Sequence, residues 1–220
     1  QQRRPQVKTA ETAMRRIATA VVLFAASLVC LSQVPVKLPP PRMEGGMPLM
    51  QALKARSASR EFSSRPLPAQ VLSDLLWAGF GINRPDSGRR TAPSARNWQE
   101  VSVYAVTAEA VFLYDAKEHA LVPVVNEDLR ALAGVQPFVK DAPLNLVYVA
   151  DRTKMEGTDE QKAIYGAADS AFICQNVYLF CASEGLATVV HELDRGELAK
   201  LLHLKPDQRI LLAQSVGFPK

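Results

Sequence analysis

The chain has few of the residues that fix a function by their chemistry alone. It contains 3 cysteines and 3 histidines in 220 residues, and their spacing matches no metal site. Cys174 and Cys181 lie seven residues apart in a strongly helical stretch. Seven helical residues rise about 10 Å, which is too far for a disulfide within one helix. We therefore expect two buried, apolar cysteines, with a bridge between two copies of this helix across a dimer as the alternative.

The sequence also lacks a nucleic-acid-binding pattern. Part of its net charge of +4 comes from the first 16 residues, where five basic side chains face Glu11 alone. No basic stripe with interleaved aromatic residues follows, so we expect no nucleic-acid partner. With 48% apolar and 22% charged residues, the composition is that of one ordinary globular domain.

The N-terminal region predicts an exported protein. Met14-Arg15-Arg16 precedes an apolar run over residues 17–31, shorter than the roughly 20 residues of a spanning helix. A basic start and a run of this length are typical of a secretory signal peptide, with cleavage expected ahead of Gln33. An uncleaved anchor or a fortuitous apolar start is the alternative. We therefore divide the chain into an N-terminal extension and signal peptide (1–33), an extended proline-rich lead-in (34–47) and one domain (48–220). The mature protein is expected in the periplasm, without a stable membrane span.

Periodicity predicts helices and strands in alternation through this domain. The longest helix, 159–184, is apolar on most sides, which indicates burial in the core or in a dimer interface. On it, Ile164, Ala168, Ala171, Gln175, Tyr178 and Cys181 fall close to one stripe. The other predicted helices cover 48–54, 67–80, 129–133 and 194–202, and the predicted strands cover 101–106, 111–114, 121–125, 144–150, 187–190 and 211–216.

The stretch Arg56-Ser-Ala-Ser-Arg60-Glu-Phe62 contains the clearest candidate binding residues. Two guanidinium groups four residues apart can converge on one anion, whether the segment continues a helix or leaves it. Serine hydroxyls between them can donate to the remaining oxygens. The pattern predicts a phosphate site, and a solvated basic helix end is the alternative.

Three segments in the expected order resemble the nitroreductase-like flavoprotein superfamily. The Arg56–Phe62 stretch is similar to its opening Arg/Ser/Arg phosphate site. Arg90-Thr-Ala-Pro93-Ser94-Ala-Arg-Asn97-Trp-Gln99 looks like its Pro-Ser-x-x-Asn-x-Gln loop. Glu184-Gly-Leu-Ala-Thr-Val-Val190 and the closing Val216-Gly-Phe-Pro-Lys220 form the third. The 76–82 segment, together with Arg90-Thr-Ala-Pro-Ser, resembles the subgroup that includes the azoline-oxidising dehydrogenases.

The resemblance implies an α+β fold with a central, mostly antiparallel sheet flanked by helices, in an intertwined homodimer with FMN at the subunit interface. Arg56, Arg60 and Lys220 would hold the FMN phosphate, with Ser57 or Ser59 replacing the family serine at Ala58. Pro93, Ser94 and Asn97 would approach from the other subunit. The remaining expected flavin contacts are Gln136 near the pyrimidine edge and Val190, His191 and Glu192 near the reactive face.

The flavin itself carries the redox chemistry in such proteins, so we expect no protein nucleophile or triad. Arg89, Arg90, Arg96 and His191 are candidate cations for the reduced flavin, and His191 is the leading candidate among them. Three functions remain open: NAD(P)H-driven reduction of nitro or quinone compounds by a ping-pong route, dehydrogenation of a small heterocycle, and flavin binding outside the cytoplasm without turnover.

Overall fold

The computed structural model describes residues 34–220, which form one seven-stranded antiparallel sheet, a two-stranded ribbon and four α-helices. The strand order is β1-β6-β5-β4-β7-β9-β8. The helices are α1 (Leu49–Ala55), α2 (Ala69–Phe80), α3 (Asp159–Glu184) and α4 (Arg195–Leu201). The strands are β1 (Val36–Lys37), β2 (Ile82–Arg84), β3 (Arg89–Arg90), β4 (Val101–Val106), β5 (Val111–Asp115), β6 (Ala120–Val125), β7 (Leu144–Asp151), β8 (Ala187–His191) and β9 (Gln208–Gly217). The predicted α+β class and the central strand β7 are confirmed.

The sheet is covered on both faces, which explains the alternation in its strands. Along β4, Val101, Val103 and Ala105 pack in one apolar cluster with α2 and α3. Tyr104 and Val106 belong to a second cluster that includes Leu198 of α4. The predicted alternation of β4 is therefore confirmed, and each face has its own apolar core.

The longest helix has the predicted bounds, because both ends carry strong termination signals. Thr158 and Gln161 form a reciprocal capping box at its start, and Gly185 takes the left-handed conformation at its end, with φ 68°. The stripe was expected in the core or in a dimer interface, and within one chain only its Cys181 is buried in the core. The helix buries Gly166, Asp169, Ser170, Ile173, Cys174, Val177 and Cys181.

The choice of buried face has a physical cause. Apolar side chains surround this helix, so periodicity does not single out one face. Small and polar residues such as Gly166 and Ser170 allow the helix to approach the sheet closely, whereas Ile164 and Phe172 remain 58% and 46% exposed. Cys174 and Cys181 are buried and free, as predicted.

The proline-rich segment is mostly exposed but contacts the domain at several points. Val36 and Lys37 pair with β6, since an edge strand offers free backbone groups to an extended segment. Arg42 then donates two hydrogen bonds to the buried Asp74. Its Nε donates to Oδ2 at 2.7 Å, and its backbone amide donates to Oδ1 at 2.8 Å. Residues 34–47 thus lie against the domain.

Smaller differences concern segment ends. The β2–β3 ribbon lies in a stretch where no strand was predicted. The predicted helix 129–133 is a 3-10 turn at Arg130–Leu132, and β9 is longer than expected. The signal-peptide prediction lies outside the described residues. Within residues 34–220, none of the helices has the length and apolarity needed to cross a membrane.

Candidate functional site

The Arg56–Phe62 stretch leaves helix α1 and runs along the outer edge of the sheet. Arg56 has ψ 121°, which ends the helix. The Ser59 amide then donates to the Thr188 carbonyl of β8 at 3.0 Å, and Phe62 pairs with Pro219 near the chain end. The stretch and the C-terminus are therefore held side by side, although they are far apart in sequence.

This arrangement places Arg60 and Lys220 on one cavity of about 410 Å³, which is also lined by Phe62, Phe138 and Asp141. A neighbouring cavity of about 570 Å³ shares Lys220 and adds two more cations, Arg130 and Lys140. Four cationic side chains thus outnumber the two carboxylates, Glu61 and Asp141, on these two walls. Guanidinium and ammonium groups in such an arrangement suit the oxygens of a phosphate.

Arg56 does not line either cavity. Its guanidinium lies 5.4 Å from the centre of the Tyr178 ring of α3, a cation–π distance. The Tyr178 hydroxyl accepts a hydrogen bond from the Val190 amide at 2.8 Å. Ser57 is exposed, and the Ser59 hydroxyl accepts from the Glu61 amide at 3.3 Å. Of the predicted phosphate contacts, the structure therefore brings Arg60 and Lys220 together and places Arg56 on an aromatic ring.

Gln136 carries an unpaired acceptor close to this region. Its Oε1 is buried and has no hydrogen-bond partner among residues 34–220. The residue precedes the 3-10 turn Pro137–Lys140, whose Phe138 lines the Arg60 cavity. A buried acceptor without a partner is costly, so an N–H from a bound molecule would complete the site.

The His191 ring packs in the core beside this turn. The residue is 6% exposed, its Nε2 lies 2.9 Å from Ser215 Oγ, and its ring meets Phe138 edge-on at 5.7 Å. Burial lowers the pKa of His191, so the ring is neutral at neutral pH. His191 therefore lies in the packed core as a neutral ring, and its role toward a reduced flavin stays a prediction. Its neighbour Glu192 is exposed and pairs with Arg195 at 2.5 Å.

The predicted Pro-Ser-x-x-Asn-x-Gln loop forms a separate cavity. This cavity of about 380 Å³ is lined by Pro93, Ser94, Asn97 and Gln99 together with Arg84, Arg89, Arg90 and Arg96. Within residues 34–220 it shares no lining residue with the Arg60 cavity. Arg90 joins this loop to the end of α2. Its guanidinium carbon lies 4.0 Å from the centre of the Phe80 ring, and its Nε donates to Gln99 Oε1 at 3.1 Å.

The sequence patterns missed several residues of these sites. Phe138, Lys140 and Asp141 line the Arg60 cavities because the 3-10 turn folds back on the chain end, and no local motif marks that contact. Glu100 and Asp169 lie buried beneath the loop. A charged residue at an inward position of a helix or strand is the signal that could have identified them.

A seven-stranded antiparallel sheet with helices on both faces defines an α+β protein, and its cationic cavity lies where the sheet edge meets the chain end. The chain belongs to the nitroreductase family, whose model matches residues 53–218.

Individual proteins agree with this assignment. A provisionally named nitroreductase of Methanocaldococcus jannaschii is 28% identical over 176 residues, which is 74% of this chain and 88% of that protein. The crystal structure of a provisionally named nitroreductase of Ralstonia eutropha superposes with a TM-score of 0.82 at 39% identity, over 87% of this chain and 92% of that one. The NADPH:FMN oxidoreductase of Vibrio harveyi, complexed with NAD+, has a TM-score of 0.58 at 22% identity, over 78% of this chain and 68% of that one. The chain is therefore a nitroreductase-family oxidoreductase.

Proposed function

We propose that this oxidoreductase uses FMN, forms a homodimer and passes electrons from NAD(P)H to nitro- or quinone-type small molecules by a ping-pong route. The observation that carries the proposal is the cavity shared by Arg60 and Lys220, with the partnerless Gln136 oxygen nearby. The name of the Vibrio harveyi relative, an NADPH:FMN oxidoreductase, is consistent with this choice of cofactor and donor.

The residues of this chain fit FMN in chemical type. Arg60 and Lys220 would bind the phosphate, and their positive charges offset its negative charge. Gln136 Oε1 is an acceptor and would take the ring N–H of the flavin pyrimidine edge. When bound, FMN supplies the electron transfer. The protein's part is therefore to hold and orient the cofactor.

Two apolar helix surfaces favour the homodimer. On α1, Leu49, Met50 and Leu53 are exposed, and α1 packs against α3. On α3, Ile164, Tyr165 and Phe172 are exposed as well. Exposed apolar surface of this kind marks an interface. A second chain would also bring its Pro93–Asn97 loop toward the first chain's cavity, which the loop does not share within one chain.

Two other functions lead to different observations. A heterocycle dehydrogenase would bind FMN but would not be reduced by NAD(P)H; the sequence resemblance to azoline-oxidising proteins favours this second candidate. An exported flavin carrier would bind FMN and show no turnover with any acceptor. The predicted export bears on the choice, because NAD(P)H is scarce outside the cytoplasm.

The proposal is tested by purifying the protein, recording its absorption spectrum and titrating it anaerobically with NADPH and NADH. A yellow protein whose flavin band bleaches with either donor, and recovers on adding a quinone, supports the reductase. A yellow protein that neither donor bleaches supports one of the two alternatives. A colourless protein that does not take up added FMN contradicts the proposal.

A further inference from the structure

Two buried carboxyl groups hold the Pro93–Asn97 loop. Glu100 follows this loop and is fully buried, while Asp169 of α3 is 3% exposed. Glu100 Oε2 accepts from the Ser94 hydroxyl at 3.2 Å, and Asp169 Oδ2 accepts from the Ala95 amide at 2.8 Å. The two carboxyl groups therefore bind consecutive residues of the same loop.

The two carboxyl groups also face each other. They bind adjacent residues of the loop and so lie close together, and Glu100 Oε1 has no hydrogen-bond partner in the described part of the chain. Two ionised carboxylates that lie close together in a buried site repel each other. A single proton between them removes the repulsion and turns the unpaired Glu100 oxygen into a donor. Burial, together with the Asp169 charge, raises the pKa of Glu100 to about 7.

The neighbouring cations are bonded elsewhere. Lys154 Nζ donates to the Gln99 carbonyl at 3.2 Å, and Arg96 pairs with Glu156 at 3.3 Å. Arg152 pairs with Asp159 at the start of α3. The strand β7 meets Glu100 through its backbone, since the Asp151 amide donates to the Glu100 carbonyl. The carboxyl pair therefore has a proton, rather than one of these cations, as its compensating charge.

The loop needs such support because its backbone is strained. Arg96, Asn97 and Gln99 all have positive φ, at 50°, 59° and 48°. Residues with a Cβ rarely adopt this left-handed region, because the side chain crowds the backbone there. The hydrogen bonds at Ser94 and Ala95 fix the start of this strained segment.

We propose that Glu100 and Asp169 share one proton and act as positioning residues, which hold the Pro93–Asn97 loop in its strained shape and release it when the proton is lost. The consequence for FMN binding rests on the function proposed above. The consequence for the loop itself does not, so the two can be tested separately.

The loop is tested first, through the fluorescence of Trp98. This ring meets Tyr165 edge-on at 5.8 Å, so its emission reports the position of the loop. The chain has 2 tryptophans, and Trp77→Phe leaves Trp98 as the single reporter. Trp77 lines a cavity with His119, so this change also removes the signal of that histidine.

In this background, without added FMN, Trp98 emission is expected to change with one midpoint near pH 7. Glu100→Gln replaces the protonated carboxyl with an amide that donates but does not titrate, so the transition should vanish and the low-pH emission should persist. Asp169→Asn removes the neighbouring charge but leaves Glu100 titratable, so it should move the midpoint to lower pH, and it provides a second variant if Glu100→Gln does not fold. Glu156→Gln, an exposed partner of Arg96, is the control and should retain the transition. The proposal would be overturned if the Trp77→Phe protein showed no transition. It would also be overturned if Glu100→Gln and Asp169→Asn both kept the transition at an unchanged midpoint.

FMN binding is tested second, by flavin fluorescence titration across the same pH range. Affinity should fall above the midpoint by up to about tenfold per pH unit, the limit for one linked proton, and Glu100→Gln should flatten this dependence. A pH-dependent affinity that Glu100→Gln leaves unchanged counts against the proposal. If FMN does not bind at any pH, the proposed cofactor fails, whereas the Trp98 titration still decides the role of the carboxyl pair.

Discussion

Replacing Arg60 with alanine tests the phosphate site most sharply. Arg60 and Lys220 line the same cavity, whereas Lys54 is exposed on helix α1. Arg60→Ala and Lys54→Ala each remove one positive charge. The two variants therefore separate a direct contact from a general charge effect.

The expected magnitude follows from the type of contact. A hydrogen bond to a charged group contributes about 1.5–3 kcal/mol, which corresponds to a roughly 10- to 100-fold loss of FMN affinity for Arg60→Ala. Lys54 acts at most through a long-range field, which is screened over about 10 Å at 0.1 M salt, so Lys54→Ala should change affinity less than about twofold. Because Arg60 and Lys220 are expected to bind the same anion, the losses for Arg60→Ala and Lys220→Ala should not add in the double variant.

Flavin fluorescence titration measures these affinities, and riboflavin provides the matched ligand because it lacks the phosphate. Arg60→Ala should weaken the binding of FMN and leave that of riboflavin nearly unchanged. Equal losses for Arg60→Ala and Lys54→Ala would refute the phosphate assignment. An equal loss for FMN and riboflavin would mean that Arg60 acts on the fold rather than on the phosphate.

Four further outcomes are expected. Phe172→Glu should convert the dimer to a monomer in light scattering, because it adds a charge to an exposed apolar face, while Glu160→Gln on the same helix should not. Ala58→Ser should leave FMN affinity unchanged or tighten it in the same fluorescence titration, since it restores the family hydroxyl. As the pH rises from 4.5 to about 7, the unfolding free energy of the native protein should fall by up to about 3 kcal/mol relative to Glu100→Gln, because the folded state holds a proton that the unfolded state releases. Denaturant titrations at several pH values measure this difference, and a difference that stays constant with pH would refute the prediction. N-terminal sequencing of protein from its native host should find a start near Gln33, and an intact leader would contradict export.

The elements that the sequence predicted well are those with strong local signals. Helix α3 has a capping box at Thr158 and a left-handed glycine at Gly185, so both ends were predictable. The strand β4 alternates because each face meets a different apolar cluster. Such signals depend on neighbouring residues and can be read without knowing the fold.

The features that were missed depend on contacts between distant segments. The side of α3 that faces the sheet was not predicted, because its polar Asp169 lies inward against the loop amide of Ala95. The contacts of the lead-in were not predicted, because Arg42 binds Asp74, which lies 32 residues further along the chain. Both contacts join residues that no local pattern connects.

The residues of the candidate site were also predicted only in part. The motif led to Arg60 and, through the resemblance, to Lys220, and the structure places them on one cavity. It could not show that Arg56 stacks on Tyr178 or that the His191 ring packs against Phe138. Side-chain direction at these positions depends on the extended backbone after α1 and on the packing of β8.

The most direct test of the proposed function is anaerobic titration of the purified protein with NADPH, followed by absorption spectroscopy. The account predicts a flavin band in the isolated or FMN-loaded protein that bleaches with about one equivalent of donor per bound flavin, because one hydride reduces one flavin, and that recovers on adding a quinone. A protein that binds FMN but keeps its band unchanged with excess NADPH and NADH would contradict the NAD(P)H-driven reductase.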